Sequence, residues 1–340
     1  MTSLPTSRVP DPMEAPGLRW GVLGPGGIAR SMAKAMRTHT RQRIVAVASR
    51  AQERAQEFAD EVGAEGAYDD VAGVVENPDV DVVYVASTHN AHREHALAAL
   101  RAGKPVLVEK SFTLNAGQAR ELAAAASEAG VAVVEAMWPR FGPRYDIVRQ
   151  LLADGAVGDV RFVTADHSQS LRHVERLMRP ELAGGAMLDL GVYPVSFAHL
   201  VAGTPREVHA YGTRTDTGVD ETVAIHLGFG DAYAALTTTL AAAGAVSATV
   251  LGTEGRIELD QTSFYTPGPV RLVRTDGSVL ESPPLEESDT GLAYEAAHVA
   301  QLVADGAIES PLLPVSETIA VMETLDAVRQ QVGVVYPEER

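Results

Sequence analysis

The sequence predicts an α/β protein of two domains: a doubly wound parallel sheet, then an α/β domain with an open, predominantly antiparallel sheet. Three observations predict it. The chain has 340 residues, more than a single core ordinarily supports. From Leu18 to about Phe141, strand-length apolar runs alternate with helical stretches. After a linking helix near 143–154, the periodicity changes to a succession of strands with period-2 patterning. Residues 1–17 carry four prolines and no periodic pattern, so a disordered leader is expected there, outside the fold. The domains are therefore expected at 18–140 and 141–337, with a C-terminal helix at 315–331 packing back to complete the first.

Composition narrows the ligands. Hydrophobic residues make up 46% and charged residues 21%, and no uninterrupted apolar run approaches the roughly 18 residues of a membrane span. A formal net charge of -17 disfavours nucleic acid and anionic membrane surfaces, which require clustered Lys and Arg. The absence of cysteine excludes disulfides, thiolate metal sites and a cysteine nucleophile. The N-terminus lacks the layout of a signal peptide, so a cytoplasmic location is the default expectation. Small molecules remain as the expected ligands.

In the first domain, Leu18–Leu23 reads as a strand that runs straight into Gly24-Pro25-Gly26-Gly27-Ile28-Ala29 and a helical stretch through Met36. The G-x-G-x-x-A spacing has a physical rationale. Gly24 permits the tight turn, Gly26 lets the backbone approach a pyrophosphate, Ala29 allows close helix packing, and the helix N-terminus faces the phosphates. A second strand, Ile44–Ala48, follows at the distance a βαβ unit requires and ends in Ser49-Arg50, with Arg54 four residues on. Where an NAD site ordinarily offers a carboxylate to the ribose, these residues offer a hydroxyl and two guanidinium groups, which favours NADP. A solvated helix start is the plainer alternative for the two arginines.

Helices at 51–63 and 69–76 lead to the strand 80–86, apolar enough to be buried in a parallel sheet. It runs into Ser87-Thr88-His89-Asn90-Ala91-His92, a polar loop on the edge where doubly wound sheets bind ligands. His89 and His92 have two open readings, contact with the cofactor or capping of a helix at 92–102. The run His89, His92 and His95 lacks the carboxylates of a convincing metal set. The next strand delivers Glu109 and Lys110 at its C-terminal end, and a helix at 115–129 and a strand at 131–134 lead to Glu135-Ala136-Met137-Trp138-Pro139-Arg140-Phe141.

In the second domain strands are expected at 158–167, 206–215, 221–229, 232–240, 246–251, 255–260 and 270–274, then helices at 292–305 and 315–331. Before the second of these strands lies Gly184-Gly185-Ala186-Met187-Leu188-Asp189-Leu190-Gly191-Val192-Tyr193-Pro194, which sets a carboxylate and a phenol four residues apart in an apolar run. On a helix such a pair shares a face and can serve acid/base chemistry on an alcohol or carbonyl. A helix cap and an amphipathic core tyrosine are the plainer alternative. Pro194 complicates the helix, which starts near Asp189 or kinks there.

Gly24-x-Gly26-x-x-Ala29, Glu109-Lys110, Glu135 to Phe141, Gly184-Gly185-x-x-Leu188-Asp189-Leu190-Gly191-x-Tyr193 and Gly218-Val219-Asp220-Glu221-Thr222 together resemble the Gfo/Idh/MocA oxidoreductases, over about residues 18–337. Within them the likeness is to the dimeric dihydrodiol dehydrogenase / NADP-dependent D-xylose 1-dehydrogenase branch. The resemblance implies a Rossmann domain and hydride transfer between nicotinamide and a carbinol or carbonyl carbon of a sugar, polyol or trans-dihydrodiol. It implies Lys110, Asp189 and Tyr193 as catalytic groups. The expected cofactor contacts are Gly24, Gly26, Gly27, Ile28, Ala29, Ser49, Arg50, Arg54, Thr88, His89, Asn90, His92, Glu109 and Lys110. Trp138, Arg140 and Tyr193 are expected at the substrate, with Phe141 and Phe162 as further pocket aromatics. Ser111 stands where the family has proline after the lysine. A homodimer or homotetramer through the C-terminal sheet is implied as well. Some proteins of this fold bind NADP as sensors without turnover, but that alternative predicts loss of the catalytic groups, and all three are kept.

Overall fold

The structure, a computed structural model, describes residues 3–259, 263–266, 268–283 and 291–339. It divides into two compact units. One comprises Pro10–Phe141 and Ser288–Ile319, the other Met1–Val9, Gly142–Glu287 and Ala320–Arg340.

The nucleotide-binding unit alternates β1 (Arg19–Leu23), α1 (Gly27–His39), β2 (Arg43–Ala48), α2 (Gln52–Val62), β3 (Gly66–Tyr68), α3 (Ala72–Val75), β4 (Val82–Val85), α4 (His92–Arg101), β5 (Val106–Glu109), α5 (Ala116–Ala129) and β6 (Val133–Ala136). All pairings are parallel, in the order β3-β2-β1-β4-β5-β6. Every residue of β4, β5 and β6 is buried, as helices on both faces of a parallel sheet require. The helix expected at 69–76 contracts to the single turn of α3.

The second unit begins with α6 (Pro143–Ala153) and β7 (Val160–Ser168), and continues through α7 (Val192–Ala202) to β8 (Glu207–Arg214), β9 (Asp220–Gly228), β10 (Tyr233–Thr239), β11 (Ala248–Gly252), β12 (Gly255–Leu259), β13 (Arg271–Arg274) and β14 (Val279–Glu281). The eight strands form one sheet, β14-β13-β12-β11-β7-β10-β9-β8, antiparallel except where β10 pairs with β7. Alternate residues Val163, Ala165, Val223, Ile225, Leu227, Ala234, Leu236 and Val250 are buried on one face, against which α7 packs. The chain ends in α8 (Leu292–Ala304) and α9 (Val315–Val332).

Two expectations about the chain ends are corrected. It is α8, packed on α1, that completes the nucleotide-binding unit, whereas most of α9 belongs to the second unit. The proline-rich leader is packed rather than disordered over its described residues. Arg8 donates to both carboxylate oxygens of Asp146 at 2.7 and 3.0 Å, Ala15 packs with Ala297 and Ala300, and Arg41 donates to the carbonyl of Met13 at 2.7 Å. The stretch 180–202 is long and apolar enough to cross a bilayer, yet 83% of its most apolar window lies inside the fold, as in a core helix.

Candidate active site

The nucleotide-binding half is built at the C-terminal ends of β1, β2, β4 and β5. Gly24 has φ +93°, and a Cβ there would lie 2.7 Å from the backbone of Ser87, so only glycine fits this turn. At Gly26 and Gly27 a Cβ would meet nothing within 4 Å, and no side chain caps the start of α1. The helix therefore presents its first N–H groups to open space, which is what a pyrophosphate binds. Nearby, Ser87 Oγ and Asn90 Oδ1 are buried without hydrogen-bond partners among the described residues. These features fit a dinucleotide. β2 runs out into Ser49 and Arg50 rather than into a carboxylate. Arg50 and Arg54 are exposed, and neither guanidinium is held in a hydrogen bond or ion pair among the described residues.

Other expected contacts are engaged within the protein. His92 is 1% exposed and lies 3.0 Å from the carbonyl of Ser111 and 3.1 Å from that of Ser87. Two carbonyls favour the imidazolium, but burial, reinforced by neighbouring His89, outweighs them and lowers the pKa to about 3. The ring is thus a buried brace between the loops after β4 and β5, and it does not cap α4. His89, 7% exposed, braces the same region through the carbonyl of Lys110 at 3.2 Å. The Glu109 carboxylate is committed inside the protein, accepting from Tyr84 Oη at 2.5 Å and from the Lys110 amide at 3.2 Å. It therefore fixes the backbone that carries Lys110, which joins Ser111 through a cis peptide bond. Buried Glu295 has its pKa raised well above the usual carboxylate range, by desolvation first and by Glu109 second.

Arg140, expected at the substrate, is held inside the protein. It is 2% exposed and donates to Glu317 Oε1 at 2.7 Å and to the carbonyl of Leu312 at 3.2 Å. Phe141 is buried against His298, with ring centroids 4.9 Å apart. Trp138 is half-buried, and its ring lies 2.8 Å from where a Cβ on Gly291 would stand. Phe162 lies on the uncovered face of the second unit's sheet, in register with Tyr233 and Leu251.

The other half carries Asp189 and Tyr193. Met187–Gly191 forms a π-helical turn that passes directly into α7. Pro194 is the cause: it has no N–H for the carbonyl of Leu190, and its ring would crowd that oxygen in a regular helix. The freed carbonyl accepts from His167 Nδ1 at 3.1 Å. This bond sets the tautomer, so Nε2 accepts from Gln169 Nε2 at 2.9 Å. The His167 ring meets Tyr193 edge-on at 5.0 Å, and Tyr265 packs on Tyr193 at 4.6 Å. Burial, opposed by Gln169 and reinforced by Asp189, raises the pKa of Tyr265. Tyr265 thus lies on Tyr193 and within the field of Asp189. Asp189 Oδ1 pairs with Arg176 at 3.0 Å. From α6, buried Arg144 donates to the carbonyls of Ser263, Thr266 and Pro269, fixing the turn that presents Tyr265. Sequence reasoning missed His167, Gln169, Tyr265 and Arg176. The missing N–H of Pro194 was the one signal that a partner for the Leu190 carbonyl had to exist. Among the described residues no group of three or more His, Asp or Glu side chains could hold a metal ion.

A model of the oxidoreductase family with an NAD-binding Rossmann fold, GFO_IDH_MocA, matches residues 18–137, and the GFO/IDH/MocA C-terminal domain matches 145–258. The chain is 36% identical over 329 residues to trans-1,2-dihydrobenzene-1,2-diol dehydrogenase of Xenopus laevis, covering 94% of this chain and 99% of the relative. It is 34% identical over 334 residues to the Homo sapiens enzyme of that name, covering 95% and 99%. The crystal structure of KijD10, a 3-ketoreductase from Actinomadura kijaniata in complex with NADP and TDP-benzene, superposes with a TM-score of 0.82 at 28% identity, over 93% of this chain and 98% of that one.

Proposed function

The chain belongs to the Gfo/Idh/MocA oxidoreductases, and from that premise we propose that it is an NADP-dependent dehydrogenase or reductase acting on a CH–OH group of a trans-dihydrodiol, sugar or polyol. The observation that carries this reading is an uncapped glycine turn with open space above Gly26 and Gly27, in a chain that keeps Lys110, Asp189 and Tyr193. Preference for NADP is supported by Ser49, Arg50 and Arg54, which offer the 2'-phosphate a hydroxyl and two uncommitted guanidinium groups.

The α1 N-terminus, Ser87 and Asn90 would hold the cofactor, which when bound gives or takes the hydride at the carbinol carbon. Tyr193 Oη moves the hydroxyl proton of the substrate. A free phenol titrates near 10, so it needs a cation to act near neutrality, and Lys110 is the residue that the resemblance to the family assigns to that role. Asp189, already paired with Arg176, orients rather than carries the proton. Glu109 and Tyr84 secure the strand end from which Lys110 projects.

The test is spectrophotometric, with trans-diols, aldoses and polyols offered to the protein with NADP or NAD. Turnover is expected with NADP at least about tenfold above NAD, and Arg50→Ala with Arg54→Ala should erase that margin. Tyr193→Phe should lower kcat by about 10²–10⁴ while binding NADPH as the parent does. Near-normal turnover in Tyr193→Phe would remove the phenol from the mechanism, and a clear preference for NAD would sink the assignment to NADP.

A further inference from the structure

The helix that carries Asp189 and Tyr193 has no cap of its own. Ala186 precedes the π-helical turn, and its side chain caps nothing. The acceptor is supplied from elsewhere in the chain. Asp220, the first residue of β9, is fully buried, and its Oδ2 accepts the Met187 amide at 2.5 Å. The amide of Ala186 also favours the ionised form of this carboxylate. This approach leaves no room above Gly185, which has φ +114° and where a Cβ would lie 2.3 Å from Asp220 Oδ1.

One residue earlier the same backbone is held from the C-terminal tail. Tyr336 Oη donates to the carbonyl of Gly184 at 2.7 Å, and the tyrosine is fully buried. Its ring lies under the Arg329 guanidinium, 4.9 Å from the centroid. Arg329, 4% exposed, pairs with Glu339 through both terminal nitrogens at 3.0 Å and with Asp326 at 2.7 Å. Glu339 also accepts the Tyr336 amide at 3.1 Å, which closes the tail back on α9. The charged and titratable groups facing Asp220 are Arg329 and Tyr336, with Glu339 and Asp326 behind Arg329.

We propose that Asp220 and the C-terminal tail, through Tyr336 and Arg329, are positioning residues that set the geometry of the π-helical turn and hence of Asp189 and Tyr193. An anionic acceptor at a helix start both fills orphan N–H groups and opposes the helix dipole. Here it acts across 33 residues of sequence on a turn already widened by Pro194. Without it the first turn opens, and Asp189, the third residue of that turn, loses its place. The proposal rests on the reading that Tyr193 moves the substrate proton and Asp189 orients.

Tyr336→Phe tests it with the least disturbance, because the ring and its cation contact remain and only the bond to Gly184 is lost. Asp220→Ala removes the cap, and Asp220→Asn keeps an oxygen acceptor. Amide hydrogen exchange of the segment 184–193 in the full chain reads the positioning without turnover. Exchange at Ala186 and Met187 is expected to quicken about tenfold in Asp220→Ala and less in Asp220→Asn. In NADP-dependent turnover, Tyr336→Phe and Asp220→Ala should lower kcat about tenfold or more, shift the pH midpoint of kcat and leave the Kd for NADPH within about twofold, and Asp220→Asn should restore most of the loss. Unchanged exchange, or a lowered Tm with kcat and its pH midpoint unmoved, would overturn the proposal. If the parent chain turned over no diol or sugar while exchange responded as expected, the positioning would stand and the functional reading would fall.

Discussion

Glu135, in β6, has only 2% of its surface exposed, its Oε2 taking one hydrogen bond from Thr318 at 3.2 Å and its Oε1 none among the described residues. Desolvation dominates, Thr318 and Arg140 oppose it, and the pKa rises from 4.5 to about 7. A carboxyl whose folded pKa is raised favours the folded state fully below its unfolded value and loses that contribution as pH climbs through the folded value. From about 4.5 to 7 the folded protein should lose about 3 kcal/mol on this account. Glu135→Gln is therefore expected to match the parent near pH 5 and to exceed its unfolding free energy by up to that amount near pH 8. Denaturant titrations at the two pH values check this, and parallel pH profiles would refute it. Legibility at this scale was uneven. Asp189 and Tyr193 stood out by residue type and spacing and Lys110 through the resemblance to the family, but nothing local records the pairing of Arg140 with Glu317, 177 residues away. The bracing role of His92 was hidden for another reason: its two partners, the carbonyls of Ser87 and Ser111, are backbone atoms, which residue type does not record.

The turn between β1 and α1 holds two glycines, two residues apart, whose substitution has opposite consequences. At Gly24 a methyl group would strike the Ser87 backbone at 2.7 Å from a φ of +93°, so Gly24→Ala is expected to unfold or strongly destabilise the nucleotide-binding unit. At Gly26 the same methyl group enters open space, so Gly26→Ala should keep its Tm within a few degrees while weakening NADPH binding by about tenfold or more. Calorimetry and fluorescence titration separate the two, and a Gly26→Ala protein that binds NADPH normally would remove the pyrophosphate from this turn. Elements were the most legible scale, because periods of 2 and 3.6 are written locally. The expected strand at 221–229 emerged at 220–228, and the expected helix at 143–154 at 143–153. Their partners were less so. Two apolar-striped helices end the chain, and the stripes do not say that α8 rather than α9 packs on α1. The π-helical turn was half legible, since Pro194 forbade a regular helix without saying what would satisfy the Leu190 carbonyl.

For the whole molecule, the feature left open is the second face of the eight-stranded sheet. Register and alternation put Tyr211, Tyr233, Phe162 and Leu251 on that face, with Ala224, Ala235, Thr164, Thr237 and Thr249 between them. Tyr211 is 79% exposed and Tyr233 52%, and such aromatic surface ringed by small residues suits a self-complementary contact. A second copy of this chain is the expected occupant. Opposing it is a net charge of -17 on each copy, which acts over a Debye length of about 10 Å at 0.1 M salt. Burial of the aromatic rows does not depend on that screening, whereas the repulsion does. Association should therefore tighten, not loosen, as salt is raised from about 0.05 to 0.5 M. Light scattering is expected to give twice the chain mass of 36.0 kDa. Tyr211→Glu with Tyr233→Glu should return the monomer without changing its affinity for NADPH, because neither residue belongs to the nucleotide-binding unit. A monomer at every protein and salt concentration would show that this face serves another purpose, and a dimer weakened by salt would show that charge pairs rather than the aromatic rows hold it.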